Sequence, residues 1–98
     1  MPLTGKQKRQ LRALGHHLDA VVIVGSEGVS EGIISAANQA LHDHELIKVK
    51  VGGEDKETRN AMIAALVEGT ESQLAQQLGK TVLLWKQHKK KPKIVLVK

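Results

Sequence analysis

The 98-residue chain has no cysteine, no phenylalanine and no tyrosine, one tryptophan and two prolines. Without cysteine, a disulfide framework and every cysteine-based zinc or iron–sulfur site are excluded. A single aromatic side chain argues against a platform that stacks successive bases, because such a platform needs several rings. No apolar run approaches the ~20 residues that span a bilayer. No apolar stretch follows the basic N-terminus, as a secretion signal would require. A soluble, cytoplasmic, monomeric chain without membrane contact is expected. The length fits one domain over residues 1–98, with a basic tail from about residue 87.

What the chain has in quantity is segregated charge. Its net +5 divides into +4 over residues 1–14, −5 over 15–85 and +6 over 86–98. The first block holds Lys6, Lys8, Arg9 and Arg12; the last holds Lys86, Lys89, Lys90, Lys91, Lys93 and Lys98. Two readings stand. One is a polyanionic partner. The other is a pair of lysine-rich ends that keep a small protein in solution.

Hydrophobic periodicity gives the elements. Thr4 and Gln7 have the spacing of a capping box, so a helix opens there. Leu11, Leu14 and Leu18 share one helical face, predicted to enter the core, with the four cations on the other. Residues 20–24, Ala-Val-Val-Ile-Val, read as a strand buried on both faces, as in a parallel sheet. Ser30 caps a second helix over about 31–43. In 46–51, period-two alternation turns Ile47, Val49 and Val51 inward and Lys48 and Lys50 outward. A third helix covers about 55–68. Propensity makes 71–78 a helix, but Leu74, Gln76 and Leu78 alternate and Gly79-Lys80 forms a hairpin turn before 81–85, so a strand is assigned. Trp85 reads as a core or edge anchor. Residues 94–97 read as an edge strand or a loosely docked segment.

The order α-β-α-β-α-β-β predicts a two-layer α/β sandwich. Its four-stranded mixed sheet has the first three strands parallel and the last antiparallel, paired to the third through the hairpin. The loops at Gly25–Gly28, Gly52-Gly53 and Gly79-Lys80 then share one sheet edge, where α/β folds bind ligands.

Gly25-Ser26-Glu27-Gly28 follows a strand and opens a helix. Glycines there let a phosphate backbone approach closely; the bland alternative is an ordinary βα turn. Glu27 would repel a phosphate unless it points away. The loop lacks the three glycines of a dinucleotide fingerprint and the Gly-Lys-Ser/Thr of a P-loop. His42 and His44 are two apart on a helix and point to opposite sides, so they share no ion. No nucleophile lies beside a base. No enzyme, cofactor, metal or small-molecule substrate is expected. The candidate binding set is Gly25, Ser26, Glu27, Gly28, Lys6, Lys8, Arg9, Arg12, Lys48, Lys50, Lys80 and Lys86, with Lys89–Lys91 adjoining. Many cations with one ring favour recognition of phosphate backbone and folded shape, with strong salt dependence.

Several segments carry a resemblance. Leu3-Thr4-x-Lys6-Gln7, Val21–Gly25 with Gly28, Glu31-Gly32, His44 to Lys50 (H-E-L-I-K-V-K) and Leu78 to Lys86 (L-G-K-T-V-L-L-W-K) resemble the CRM domain, and more narrowly its single-domain bacterial YhbY type, over about 3–86. The resemblance implies a fold similar to the C-terminal domain of translation initiation factor three. It also implies RNA binding, with association to precursors of the large ribosomal subunit for bacterial members and to intron splicing for plant relatives. It places Gly25, Ser26, Glu27 and Gly28 in the RNA surface, although an acid at Glu27 departs from the usual neutral or basic loop. Trp85 stands where tyrosine is usual. The expected function is therefore RNA binding in large-subunit assembly, with ribosomal RNA as partner. A module that docks on ribosomal or assembly proteins is the alternative.

Overall fold

Local hydrogen bonds start each helix where the sequence places it. The computed structural model describes residues 3–88, 90 and 92–98. Helix α1 spans Gly5–Gly15. Thr4 Oγ1 accepts the Gln7 N–H at 3.1 Å and Gln7 Oε1 accepts the Thr4 N–H at 3.0 Å, a complete capping box. Helix α2 spans Glu31–His44, with Ser30 Oγ accepting the Ile33 N–H at 3.2 Å. Helix α3 spans Lys56–Thr70, with Asp55 Oδ1 accepting the Thr58 N–H at 2.6 Å. That backbone N–H holds the Asp55 carboxyl below the usual carboxylate range. The strands are β1, Ala20–Val24; β2, Leu46–Val51; β3, Gln73–Leu78; and β4, Thr81–Trp85.

The sheet order is β1-β2-β4-β3, with β1 parallel to β2 and β4 antiparallel to both its neighbours. The expected run of parallel strands is thus cut to one parallel pairing, because β4 inserts between β2 and β3. Burial explains the insertion. Val82, Leu83, Leu84 and Trp85 are buried successively on both faces, whereas β3 carries Gln73, Gln76 and Gln77 and leaves Leu78 exposed. An apolar strand gains most in the centre and a glutamine-rich one loses least at the edge.

The layers also differ from expectation. One face holds the larger core, in which Ala37, Leu41, Met62, Ile63 and Leu66 of α2 and α3 meet Val22, Val24, Ile47, Val49, Val51, Val82 and Leu84. The opposite face holds a second core of Leu11, Leu46, Ala75, Leu83 and Trp85, partly covered by Leu3, Ile94 and Leu96. Helix α1 therefore makes a third layer, and it covers only part of its face. It ends at Gly15, where a Cβ would lie 2.6 Å from the Leu83 methyl carbons. Leu14 and Leu18, predicted as core, remain 48% and 37% exposed. Strand β1, predicted as buried on both faces, is an edge strand with Val21 and Ile23 53% and 63% exposed. Sheet order makes β1 an edge, and α1 stops before it covers the outer face of that strand.

Residues 94–97 form no strand, yet they are held. Gln7 Nε2 donates to the Val97 carbonyl at 2.9 Å, Gln10 Nε2 to the Val95 carbonyl at 2.7 Å, and Gln10 Oε1 accepts the Val97 N–H at 2.8 Å. The main anchor is Glu45, fully buried at the end of α2 with φ 63°. Its Oε2 accepts the His88 N–H at 2.7 Å and its Oε1 accepts the Ile94 N–H at 2.7 Å and the Lys93 N–H. Its carbonyl accepts the Lys86 N–H at 2.9 Å.

Two stability measurements check this account. Leu84 is fully buried, so Leu84→Ala should cost about 2–5 kcal/mol in denaturant unfolding. Leu78→Ala, at an exposed edge position, should stay within ~0.5 kcal/mol; equal costs would remove β4 from the centre. Glu45→Ala should abolish hydrogen-exchange protection at the His88 and Ile94 amides while β2 stays protected. Unchanged protection at those amides would show that the tail is held elsewhere.

Candidate nucleic-acid interface

Three chain reversals meet at one sheet edge. The Gly52 N–H donates to the Val24 carbonyl at 2.7 Å, and the Val51 N–H donates to the Lys80 carbonyl at 2.7 Å. These bonds bring the segment after β1, the segment after β2 and the β3–β4 turn side by side, as the topology predicts. Gly52 permits the first contact, since a Cβ there would sit 2.7 Å from the Val24 oxygen. Arg59 Nη1 donates to the Gly53 and Glu54 carbonyls at 3.2 Å each and so pins the middle segment.

Gly25–Gly28 closes as a turn, its Gly28 N–H donating to the Gly25 carbonyl at 3.1 Å. Gly28 adopts φ 90°, in the region that favours glycine. A Cβ at Gly25 or Gly28 would meet nothing within 4 Å. Gly25, Ser26 and Glu27 are exposed. A ligand can therefore approach this turn at Gly25 and at the Gly28 Cα without meeting a side chain.

Next to this edge lies the part of the sheet that α1 leaves uncovered. A groove of about 480 Å³ runs between α1 and the sheet, lined among others by Arg9, Arg12, His16, Lys48, Gln76 and Thr81. Lys48 is half-buried and Lys50 exposed, on the face opposite Ile47, Val49 and Val51. Lys50 pairs across the sheet with Thr81, and Lys80 precedes it in the turn. Thus Arg9, Arg12, Lys48, Lys50 and Lys80 lead from the helix across the sheet to the glycine edge. On α2 and α3, which cover the other face, the exposed acids are Glu31, Asp43, Glu57 and Glu68. Lys56, at the start of α3, is an exposed cation of that side, and Glu27 is the exposed acid of the glycine turn. Cations in a concave surface walled by protein attract polyanions more strongly than the same charges dispersed.

Not every predicted site residue joins this surface. Lys6 and Lys8 are exposed on the N-terminal half of α1, outside the groove. Lys86 lies beyond the far end of β4, where its Nζ donates to the Thr70 carbonyl at 2.9 Å. That bond satisfies a terminal carbonyl of α3 and directs the ammonium away from the groove. Lys89 and Lys91 lie outside the described residues. Trp85 is buried in the second core and offers no ring to a base. The sequence reading missed His16, Gln76 and Thr81 as groove residues. Gln76 and Thr81 could have been found from the hairpin register, which sets them on the outward face with Lys48 and Lys50.

Fold and surface together define a small α/β domain whose sheet carries a basic, partly uncovered face. The chain belongs to the CRS1/YhbY (CRM) domain family, whose model matches residues 3–86. A Bacillus subtilis protein named "probable RNA-binding protein" is 45% identical over 94 residues, covering 96% of this chain and 98% of its own. A Pseudomonas aeruginosa protein of the same designation is 40% identical over 90 residues, covering 92% and 86%. The solution structure of a Staphylococcus aureus protein, 35% identical, superposes with a TM-score of 0.84 over 97% of this chain and 99% of its own.

The geometry of the turn predicts different tolerances at its two glycines. Gly28→Ala should cost roughly 1–2 kcal/mol, because an L side chain is disfavoured at that backbone conformation. Gly25→Ala should stay within about 0.5 kcal/mol, since nothing obstructs its Cβ. Urea unfolding of both variants checks this, and equal costs would show that the turn does not demand glycine at Gly28.

Proposed function

We propose that the chain binds structured ribosomal RNA and acts, without catalysing a reaction, in assembly of the large ribosomal subunit in the cytoplasm. One observation carries the RNA reading: five cations and an open glycine turn border the part of the sheet that α1 leaves uncovered. The ribosomal part rests on the resemblance to the YhbY type. The names of the relatives support RNA as the partner.

The chemistry follows from the side chains. Arg9 and Arg12 project forked guanidinium groups that match phosphate oxygens bidentately. Lys48, Lys50 and Lys80 add point charges along the path to the edge. Gln76 and Thr81 supply neutral donors and acceptors of the kind that read a ribose 2′-hydroxyl. The Gly25–Gly28 turn lets a phosphate backbone come against main-chain N–H groups without a side chain in the way. Recognition then depends on the contour of folded RNA and little on base identity.

Titration of a large-subunit rRNA fragment against salt tests the reading. Five phosphate contacts predict a log–log slope of about −4. Arg12→Ala should make the slope shallower by ~0.7–0.9, as one lost contact requires. Lys56→Ala, on the helical side, should leave it unchanged. A flat salt response would sink the proposal. Crosslinking in cell extract tests the assembly role: RNA label confined to small-subunit precursors would exclude it.

A further inference from the structure

We infer that β1 is a self-association edge, through which two copies of the chain join antiparallel into one continuous eight-stranded sheet. Strand β1 ends the sheet, and only its β2 side is paired. The Val24 carbonyl is used toward β2, accepting from Gly52. Strand alternation then turns the N–H and C=O of Ile23 outward. Proteins usually blunt such an edge with lysine, proline or a covering element. Here Ala20–Val24 carries neither, and residues 13–24 hold no Lys or Arg at all in a chain of net charge +5. The bulge at Ala20/Val22 lies at the start of the strand and leaves Val22–Val24 in register.

The side chains beside this edge are apolar and uncovered. Val21 and Ile23 stand more than half exposed on the face that α1 fails to reach. A mostly apolar groove of about 440 Å³ adjoins Val21, lined by Leu14, Leu18 and Leu46, with Asp19, His44 and Lys48 also on its wall. A second copy fits this edge for an electrostatic reason. Two strongly basic chains repel wherever their lysines meet, and this is a stretch of surface strand on which neither carries a cation. The cross-strand contacts would be valine and isoleucine against valine and isoleucine, which stabilise antiparallel pairs.

Symmetry links the pairing to the basic face. Antiparallel strands in one sheet are related by a two-fold axis perpendicular to it. Such an axis turns the same face of both sheets to the same side, so both Arg9–Lys80 paths would lie on one surface. The doubled surface matters for RNA only if the RNA reading holds; the pairing itself does not depend on it. A five-residue edge with four flanking apolar side chains buries less than the ~800 Å² per partner of a stable interface. The association is therefore weak and concentration-dependent, and a common RNA would strengthen it by raising local concentration.

Sedimentation equilibrium without RNA tests the pairing separately from RNA binding. Wild-type mass should rise from 10.7 kDa toward twice that value as concentration goes from about 10 μM to about 1 mM, the range of a weak interface. The Ile23 amide should exchange more slowly over the same range. Ile23→Lys should keep the monomer mass throughout, with a circular dichroism spectrum like wild type. A wild-type mass that stays at one chain overturns the inference and leaves the edge to a strand of another protein. Association of Ile23→Lys equal to wild type would overturn it as well. Should that variant not fold, the concentration dependence of the wild-type Ile23 amide decides.

Discussion

The side chain of Glu45 ties together parts of the chain that share no secondary structure. A fully buried carboxylate is costly unless its oxygens are satisfied, and three backbone N–H groups from residues 88–94 satisfy them. The same residue closes α2 at a positive φ of 63° and receives the Lys86 N–H on its carbonyl. It stands between the last turn of α2 and the first residue of β2, beside the end of β4. From this point the tail is led back over the sheet, where Ile94 and Leu96 cover the second core. Without that cover, Trp85 and Leu83 would face water beside Leu11. The burial of the single tryptophan thus depends on one acid 40 residues earlier in the chain.

The second core is small, and its smallness leaves the binding surface open. Helix α1 and the tail cover the half of the sheet that holds Leu46, Ala75 and Trp85; they do not reach Ile23, Lys50 or Leu78. Gly15 lets the helix end press on Leu83, since a Cβ there would lie 2.6 Å from the Leu83 methyl carbons. Incomplete coverage costs some apolar burial at Val21, Ile23, Leu14 and Leu18. In return the outward lysines of β2 stand on an accessible floor. Exposed apolar area next to a basic groove marks a surface shaped for contact with large partners.

Much of this was legible from local pattern. Thr4 with Gln7, and Ser30 three residues before Ile33, act within one helical turn, so spacing alone identifies them. The alternation in 46–51 and the Gly79-Lys80 turn are equally local, and they overrode the helical propensity of 71–78 correctly. The errors arose where a partner element decides. Leu14 has the periodicity of a core residue, but periodicity does not show where the helix meets the sheet. Ala20–Val24 has the composition of a two-sided strand, and only its place in the sheet order makes it an edge. The order itself followed from two-sided burial of β4, a property that Val82-Leu83-Leu84 displays and that hairpin logic did not use. Glu45 was the least legible, since its donors lie 43 to 49 residues away and are backbone groups that any sequence would supply.

The scarcity of aromatic residues and the abundance of cations belong to one design. A sheet that reads bases needs rings standing on an exposed face. In this chain the one ring lies under the tail, and the exposed face carries arginine, lysine, glutamine and threonine instead. Such groups bind phosphate and ribose, which every RNA has, so discrimination has to come from geometry. Geometry is what this surface fixes: the glycine edge is pinned by the Gly52–Val24 and Arg59 contacts, and the groove wall is an eleven-residue helix capped at its start. Under the proposed function, such a rigid, concave, basic surface would select folded RNA whose backbone already has a matching contour, and it would penalise flexible strands that must be ordered to fit.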